Sequence, residues 1–516
     1  MTEVQSATST QTRATLPVPE QAVHRAEHGD TLPSIAATNN VSIEALVAAN
    51  PQILNPDRIF PGDEIRIPAA TARASGEADT QAPLSPETRS ALGDSVIDWR
   101  IGGQVQTCPS GQEQELPTYT YEEIGDYLAS GFDGAQFDAS SGDELTVNIT
   151  GLTGEGQTLA RAALEHWSDA TGLVFTETDG DAQITFDDNE SGAFAGPTAM
   201  TDDGYFESTI VNVGTDWLDA YGTDFDTYSF QTYIHEVGHA LGLGHAGPYN
   251  GSADYGVDNI YTNDSWQATV MSYFSQEDNT SIDASPAYVT GLQVADYLAI
   301  QGMYGTSTTT RDGDTTYGYG STAGNVVYDA ENGFANPTSF SIFDAGGVDT
   351  MNYDGSDADQ TLDLREQHYS SVNGLTGNVG IATGTVIEHA AGGSGDDNLV
   401  GNDADNELTG NDGTDTFFAS GGSDVYAGGA GDDTVVFSGS EADYSVSTNA
   451  SGNTVVTDNR AGSPDGTVEL SGVETIQYDG ATSHPDMFDD ADTGTDEPVN
   501  PPFDVGAWWQ ARVAAA

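Results

Sequence analysis

From Gly392 to Val436 the chain repeats every nine residues: GGSGDDNLV, GNDADNELT, GNDGTDTFF, ASGGSDVYA and GGAGDDTVV. No feature restricts the fold more. The glycines permit tight turns between short β-like runs. The sixth position reads Asp397, Asn406, Asp415, Asp424 and Asp433, and the eighth Leu399, Leu408, Phe417, Tyr426 and Val435. The eighth set is the inward apolar column. The carboxylates, with turn carbonyls around Gly393 and Gly395, are hard oxygen donors suited to calcium. Two repeats are degenerate: Asn406 replaces an aspartate, and Ala419 with Ser420 replaces the opening glycines, so weaker binding is expected there.

The charge balance is equally one-sided, with 82 acidic against 12 basic residues and a net charge of −70. That argues against nucleic acid and anionic membranes as partners, since both reward Lys and Arg. No apolar run of about 20 residues is present, so membrane insertion is not expected. At 516 residues the chain suggests several domains. Its single cysteine, Cys108, rules out an intrachain disulfide framework and reads as an incidental free thiol rather than a latency switch.

Chemistry concentrates in HEVGHALGLGH, residues 235–245. On a helix His235 and His239 share one face, and Gly242 lets the backbone turn so that His245 becomes a third nitrogen donor. Three protein ligands leave a position for water, which marks a catalytic rather than a closed structural zinc site. Zinc lowers the pKa of its water to roughly 7, and Glu236, beside the first ligand, takes the proton as the water attacks a carbonyl.

The run carries the metzincin signature, and Met271 in TVMSYF matches the methionine turn expected downstream. Together with the repeats, which resemble the RTX repeats of calcium-binding parallel β-rolls, residues 116–480 resemble the serralysin family. The resemblance implies that Met271 floors the histidines and that Tyr273 is an extra zinc ligand that swings away to stabilise the tetrahedral intermediate. It implies calcium turns upstream of the repeats: Arg311, Gly313 and Thr315, then Asp344, Gly346, Gly347 and Asp349, then Glu388. It also implies that ITFDD (184–188) is an edge strand along which an extended peptide lies antiparallel. Export by a type I secretion apparatus through an uncleaved C-terminal signal would fit an N-terminus lacking the apolar core of a cleavable signal. The working place is then extracellular, where calcium is plentiful enough to fold the roll.

Residues 23–68 resemble a LysM domain through GDTL, VSIEAL and the NP…PG…IP ending. The resemblance implies a groove for peptidoglycan or chitin, built from Gly29, Asp30, Thr31, Asn55 and Asp57. Short strands are expected before GDTL and at Glu64–Ile67, with helices starting at Thr31 and Ser42.

The expected architecture is therefore multidomain. A disordered start (1–22) leads to an α+β LysM-like module (23–68) and a linker (69–115). An α/β metzincin catalytic domain (116–305), an all-β parallel β-roll (306–480) and a tail (481–516) follow. The expected activity is a metalloendopeptidase acting on protein or peptide substrates with one catalytic zinc and several structural calcium ions. Two rivals remain at this point: a peptidoglycan-directed hydrolase, and a calcium-stiffened wall-binding protein steered by the LysM-like module.

Overall fold

The computed structural model describes residues 22–25, 35, 50, 64–67 and 116–478. It divides into two compact units, Met1–Gln112 and Glu113–Ala516. In the first, β1 (Ala22–Arg25) pairs antiparallel with β2 (Glu64–Ile67), Ala22 facing Ile67 and Arg25 facing Glu64. Ile65 and Ile67 are buried on either side of the exposed Arg66, the alternation expected of a half-buried strand. Asn50 pins this strand: its Nδ2 donates to the Arg66 carbonyl and its Oδ1 accepts from the Arg66 amide, both at 2.7 Å. The expected glycan contacts Gly29, Asp30, Thr31, Asn55 and Asp57 lie outside the described residues, as do the helix starts at Thr31 and Ser42, Cys108, the linker 69–115 and the tail 481–516.

The second unit opens with α1 (Tyr121–Ala129), whose start is fixed by a reciprocal cap between Thr120 and Glu123. β3 (Glu144–Gly151) leads into α2 (Gly154–Thr171), which Gly172 ends in the left-handed conformation. Then come β4 (Val174–Glu177), β5 (Ile184–Asp187), β6 (Ala193–Met200), β7 (Phe206–Val213), α3 (Thr215–Tyr221) and α4 (Tyr228–Leu241). The sheet runs β4-β3-β5-β7-β6, parallel throughout except for β6, which is antiparallel to β7 and forms one edge.

That order corrects one expectation. The ITFDD segment is β5, an inner strand hydrogen-bonded to β3 and β7, and the antiparallel edge is β6. Alternation reports which face of a strand is buried and says nothing about its lateral neighbours, so an inner strand and an edge strand read alike.

After β8 (Tyr288–Val289), α5 (Val294–Tyr304) ends at Gly305. Short strands follow: β9 (Thr316–Gly318), β10 (Thr338–Ile342), β11 (Thr350–Asn352), β12 (Thr361–Asp363), β13 (Tyr369–Ser370) and β14 (Val379–Ile381). Next are β15 (His389–Ala391), β16 (Asn398–Val400), β17 (Glu407–Asp412), β18 (Thr416–Phe418), β19 (Ser423–Ala430) and β20 (Thr434–Phe437). The chain closes with β21 (Tyr444–Thr448), β22 (Thr454–Asp458), β23 (Thr467–Ser471) and β24 (Thr475–Tyr478).

Two parallel arrays result, β9-β11-β15-β17-β19-β23 and β12-β16-β18-β20-β24. Successive repeats enter opposite arrays, so one coil takes two repeats: Leu408 pairs with Tyr426, and Leu399 with Phe417. All five eighth-position side chains are fully buried, and Phe417 stacks on Tyr426 at 5.4 Å. The antiparallel strands β21 and β22 cover the outer side of β23. One continuous apolar core runs from Tyr121 to Leu470, so the helical half and the stacked strands are packed as one body.

Candidate metal centre

Helix α4 crosses α2 where Trp167 donates its indole N–H to the Ile234 carbonyl at 3.1 Å. Close approach from below requires Gly238: a Cβ there would sit 2.7 Å from Met271 Sδ and 3.1 Å from Trp167. The helix stops at Gly242, whose φ of 113° a side chain would strain. Leu243 then donates back to the Gly238 carbonyl at 3.0 Å, and the chain returns His245 to the helix face.

His235 Nδ1 lies 2.8 Å from the Val270 carbonyl and His239 Nδ1 2.8 Å from the Leu243 carbonyl. A carbonyl only accepts, so Nδ1 carries the proton in both rings and Nε2 keeps its lone pair. The three histidines present ligand atoms within 4.8 Å of one another, with His239 Nε2 and His245 Nε2 3.0 Å apart. Burial holds these imidazoles neutral, His235 at about 4, His239 at about 3 and His245 well below its usual value. Two Nε2 lone pairs aimed at one point, with His245 Nε2 beside them, fit a zinc ion.

Glu236 is buried, and its Oε2 has no hydrogen-bond partner. Burial alone raises its carboxyl to about 8. Met271 is fully buried beneath the helix, and the Tyr273 ring centroid lies 4.6 Å from that of His245 and 6.0 Å from that of His235. The Tyr273 hydroxyl accepts from the Gly251 amide at 3.3 Å. Phe132 stands edge-on to His239 at 6.2 Å and touches the space beside Gly196 of β6, so the sheet edge borders the histidines.

Two acids that the sequence reading did not single out brace the loop carrying Met271. Asp296, fully buried near the start of α5, accepts from Thr269 Oγ1 at 2.5 Å and from the amides of Val270 and Gln293 at 2.9 Å. The clamp on Val270 also fixes the carbonyl that orients His235. Asp264 accepts from Ser272 Oγ at 2.6 Å and from the Tyr249 hydroxyl at 3.1 Å. Burial lifts both acids to about 6. A helix-capping pattern Gln293-x-x-Asp296 is visible in the sequence, but its bond to Val270 spans a separation that no local pattern reports.

The upstream oxygen-rich turns also meet. Asp349 Oδ1 accepts from the Thr315 amide at 2.8 Å, Glu388 Oε2 from the Asp349 amide at 2.7 Å, and Asp344 Oδ1 from the Gly346 amide at 2.9 Å. The Thr315 hydroxyl donates to the Gly313 carbonyl at 2.8 Å, and a Cβ on Gly347 would strike that same Gly313 carbonyl. Asp349 Oδ2 is buried without a partner; burial, reinforced by Asp344 and Glu388, pushes its carboxyl up to about 7. The Arg311 guanidinium is committed elsewhere, to Asp169 at 2.6 Å and to the Phe343 carbonyl at 2.7 Å, which leaves only its own carbonyl for a cation. Asp397, Asp415, Asp424 and Asp433 are all buried.

Comparison with known proteins adds three matches along the chain. Residues 144–252 match the Matrixin peptidase model, 306–497 the Peptidase M10 serralysin C-terminal model, and 24–68 the LysM domain. Among curated relatives, Metallopeptidase AprA of Pseudomonas marginalis is 37% identical over 280 residues, covering 51% of this chain and 58% of the relative. Serralysin B of Dickeya chrysanthemi is 39% identical over 262 residues, covering 47% and 52%. Serralysin A of the same organism is 34% identical over 313 residues, covering 55% and 64%. The chain thus spans between about half and two thirds of the length of these relatives.

Proposed function

We propose that this chain, which its matched segments mark as a serralysin-type metzincin behind a LysM domain, is a zinc-dependent metalloendopeptidase. The observation that carries the reading is the convergence of three neutral imidazoles, His239 buried and His235 and His245 half-buried, next to a buried carboxylate oxygen with no partner of its own. His235, His239 and His245 would hold the metal, which when bound supplies Lewis acidity toward the scissile carbonyl and toward water. Glu236 accepts the proton of the attacking water and later returns it to the leaving amine. The Tyr273 hydroxyl donates a hydrogen bond to the oxyanion that develops. An extended peptide aligns antiparallel to β6, whose free side is the sheet edge nearest His239, and main-chain bonding of this kind gives modest sequence selectivity.

The stacked strands are a calcium β-roll in this reading, supported by the buried aspartates and the orphaned oxygen of Asp349. Cytosolic calcium is too scarce to load such turns, so the fold is completed outside the cell. The LysM match supports a glycan-binding module that holds the protease near peptidoglycan or chitin.

Glu236→Gln tests the reading: zinc content should remain stoichiometric while casein cleavage falls by at least about 10²-fold. Retained cleavage would sink it. A zymogram on cell walls beside one on casein separates the peptidoglycan-hydrolase alternative.

A further inference from the structure

The repeats lie on two edges that differ in chemistry. Turns 392–397, 410–415 and 428–433 lead from the first parallel array into the second, whereas turns 401–406 and 419–424 lead back. On the first edge the carboxylates form a ladder: the Asp397 amide donates to Asp415 Oδ1, that of Asp415 to Asp433 Oδ1, and that of Asp433 to Glu474 Oε2, each at 2.9 Å. Each rung therefore uses one oxygen of the acid below it. The second oxygens of Asp415 and Asp433 are buried without any partner. A Cβ placed on Gly410 would collide with Asp415 Oδ2 and with the Gly428 carbonyl, so both oxygens face the same space. Buried acceptors that face one another with no donor between them call for a cation.

On the opposite edge every corresponding oxygen has a donor. Asn406 Nδ2 donates to the Glu388 carbonyl at 3.1 Å and to Asn402 Oδ1 at 3.0 Å, while its Oδ1 accepts from the Asn402 amide at 2.8 Å. Asp424 accepts from the Asn406 amide at 2.9 Å through Oδ1 and from the Tyr426 hydroxyl at 3.2 Å through Oδ2. Ser420 Oγ stands 3.4 Å from each of Asn406 Oδ1, Asp424 Oδ2 and the Tyr426 hydroxyl, filling the gap between the turns.

We propose that the roll takes calcium along the Asp397–Asp415–Asp433 edge, and that the opposite edge between Glu388 and Asp424 is a hydrogen-bonded seam that takes none. The inference rests on the calcium reading given above. The amide hydrogens of Asn406 and the hydroxyls of Ser420 and Tyr426 do there what an ion does across the coil, so these coils hold together before calcium arrives.

Crystals of the full chain grown in calcium and measured by long-wavelength anomalous scattering decide the matter. Peaks are expected between the turns of Asp397 and Asp415 and between those of Asp415 and Asp433, with none between Asn406 and Asp424. A peak in the seam overturns the proposal, and peaks on neither edge overturn the calcium reading itself. Calcium counting by equilibrium dialysis supplies a gain-of-binding arm. Asn406→Asp combined with Ser420→Gly restores acceptors and should add about one ion per chain, and Asp415→Asn should remove at least one. A folded double variant that gains none refutes the seam as the reason for exclusion.

Discussion

Asp296→Ala should disable the metal centre without touching a metal ligand. The carboxylate serves one hydroxyl and two amides, Thr269, Val270 and Gln293, at a fully buried position. Truncation strands these donors at roughly 1–3 kcal/mol each. Relief of a buried charge offsets part of that, because burial has already raised the acid to about 6, leaving a net loss of about 2–4 kcal/mol. The freed Val270 peptide no longer holds the carbonyl that orients His235, and zinc affinity should fall by roughly 10–100-fold. Asp296→Asn behaves differently. Its carbonyl oxygen still serves both amides and the buried charge is gone, so only the Thr269 hydroxyl, which had donated to the carboxylate, loses its acceptor. Stability should fall much less than in the alanine variant, and zinc should be retained. Urea denaturation with chelator competition for zinc measures both quantities. Equal loss in Asn and Ala would refute the hydrogen-bond argument and show that the charge itself is what the site needs.

Tyr273→Phe should leave the fold and zinc content intact and lower kcat by roughly 10²-fold with KM little changed; a kcat within about threefold of the parent would remove Tyr273 from the proposed chemistry. Calcium binding should weaken with acid. Burial, helped by neighbouring acids, pushes Asp349 and Asp415 to about 7 and Asp397 to about 6, above the 3.8 of an ordinary aspartate. With no cation present, the stability these groups contribute is fully present below about pH 4 and lost as pH rises through about 7. Calcium needs the ionised form, so its affinity should rise through that same window, by at least about tenfold from pH 5.5 to 7.5, with protons released on binding. A calcium titration monitored by circular dichroism at both pH values checks this, and equal midpoints would contradict it.

What the sequence makes legible follows from where position in the chain equals position in space. His235, His239, Gly242 and His245 lie within one helix and its exit, so their spacing is their geometry. The nine-residue period likewise fixes which side chains enter the core, and Leu399, Leu408, Phe417, Tyr426 and Val435 all do. The repeats end before β21, yet β23 and β24 continue the two arrays, Leu470 pairing with Tyr426 and Ile476 with Val435. An inserted hairpin breaks the period there without breaking the stack. The roles of β6 and Asp264, and the bond from Val270 to Asp296, depend on lateral or long-range neighbours and leave no local trace.

The loop between Gln267 and Tyr273 shows why the two halves cannot be treated separately. Its Val270 and Met271 serve the histidines, but its position is set from both sides. Asp296 clamps it from α5, Gln267 Nε2 donates to the Gly377 carbonyl at 3.0 Å, and Tyr369 donates its hydroxyl to the Gln267 carbonyl. Gly377 and Tyr369 lie beyond α5, among the strands of the C-terminal half, and Gln293 at the start of α5 donates to Ser339 of β10 at 3.2 Å. The turn beneath the metal site, from which His235 takes its orientation, is therefore held both by α5 and by the strands that follow it.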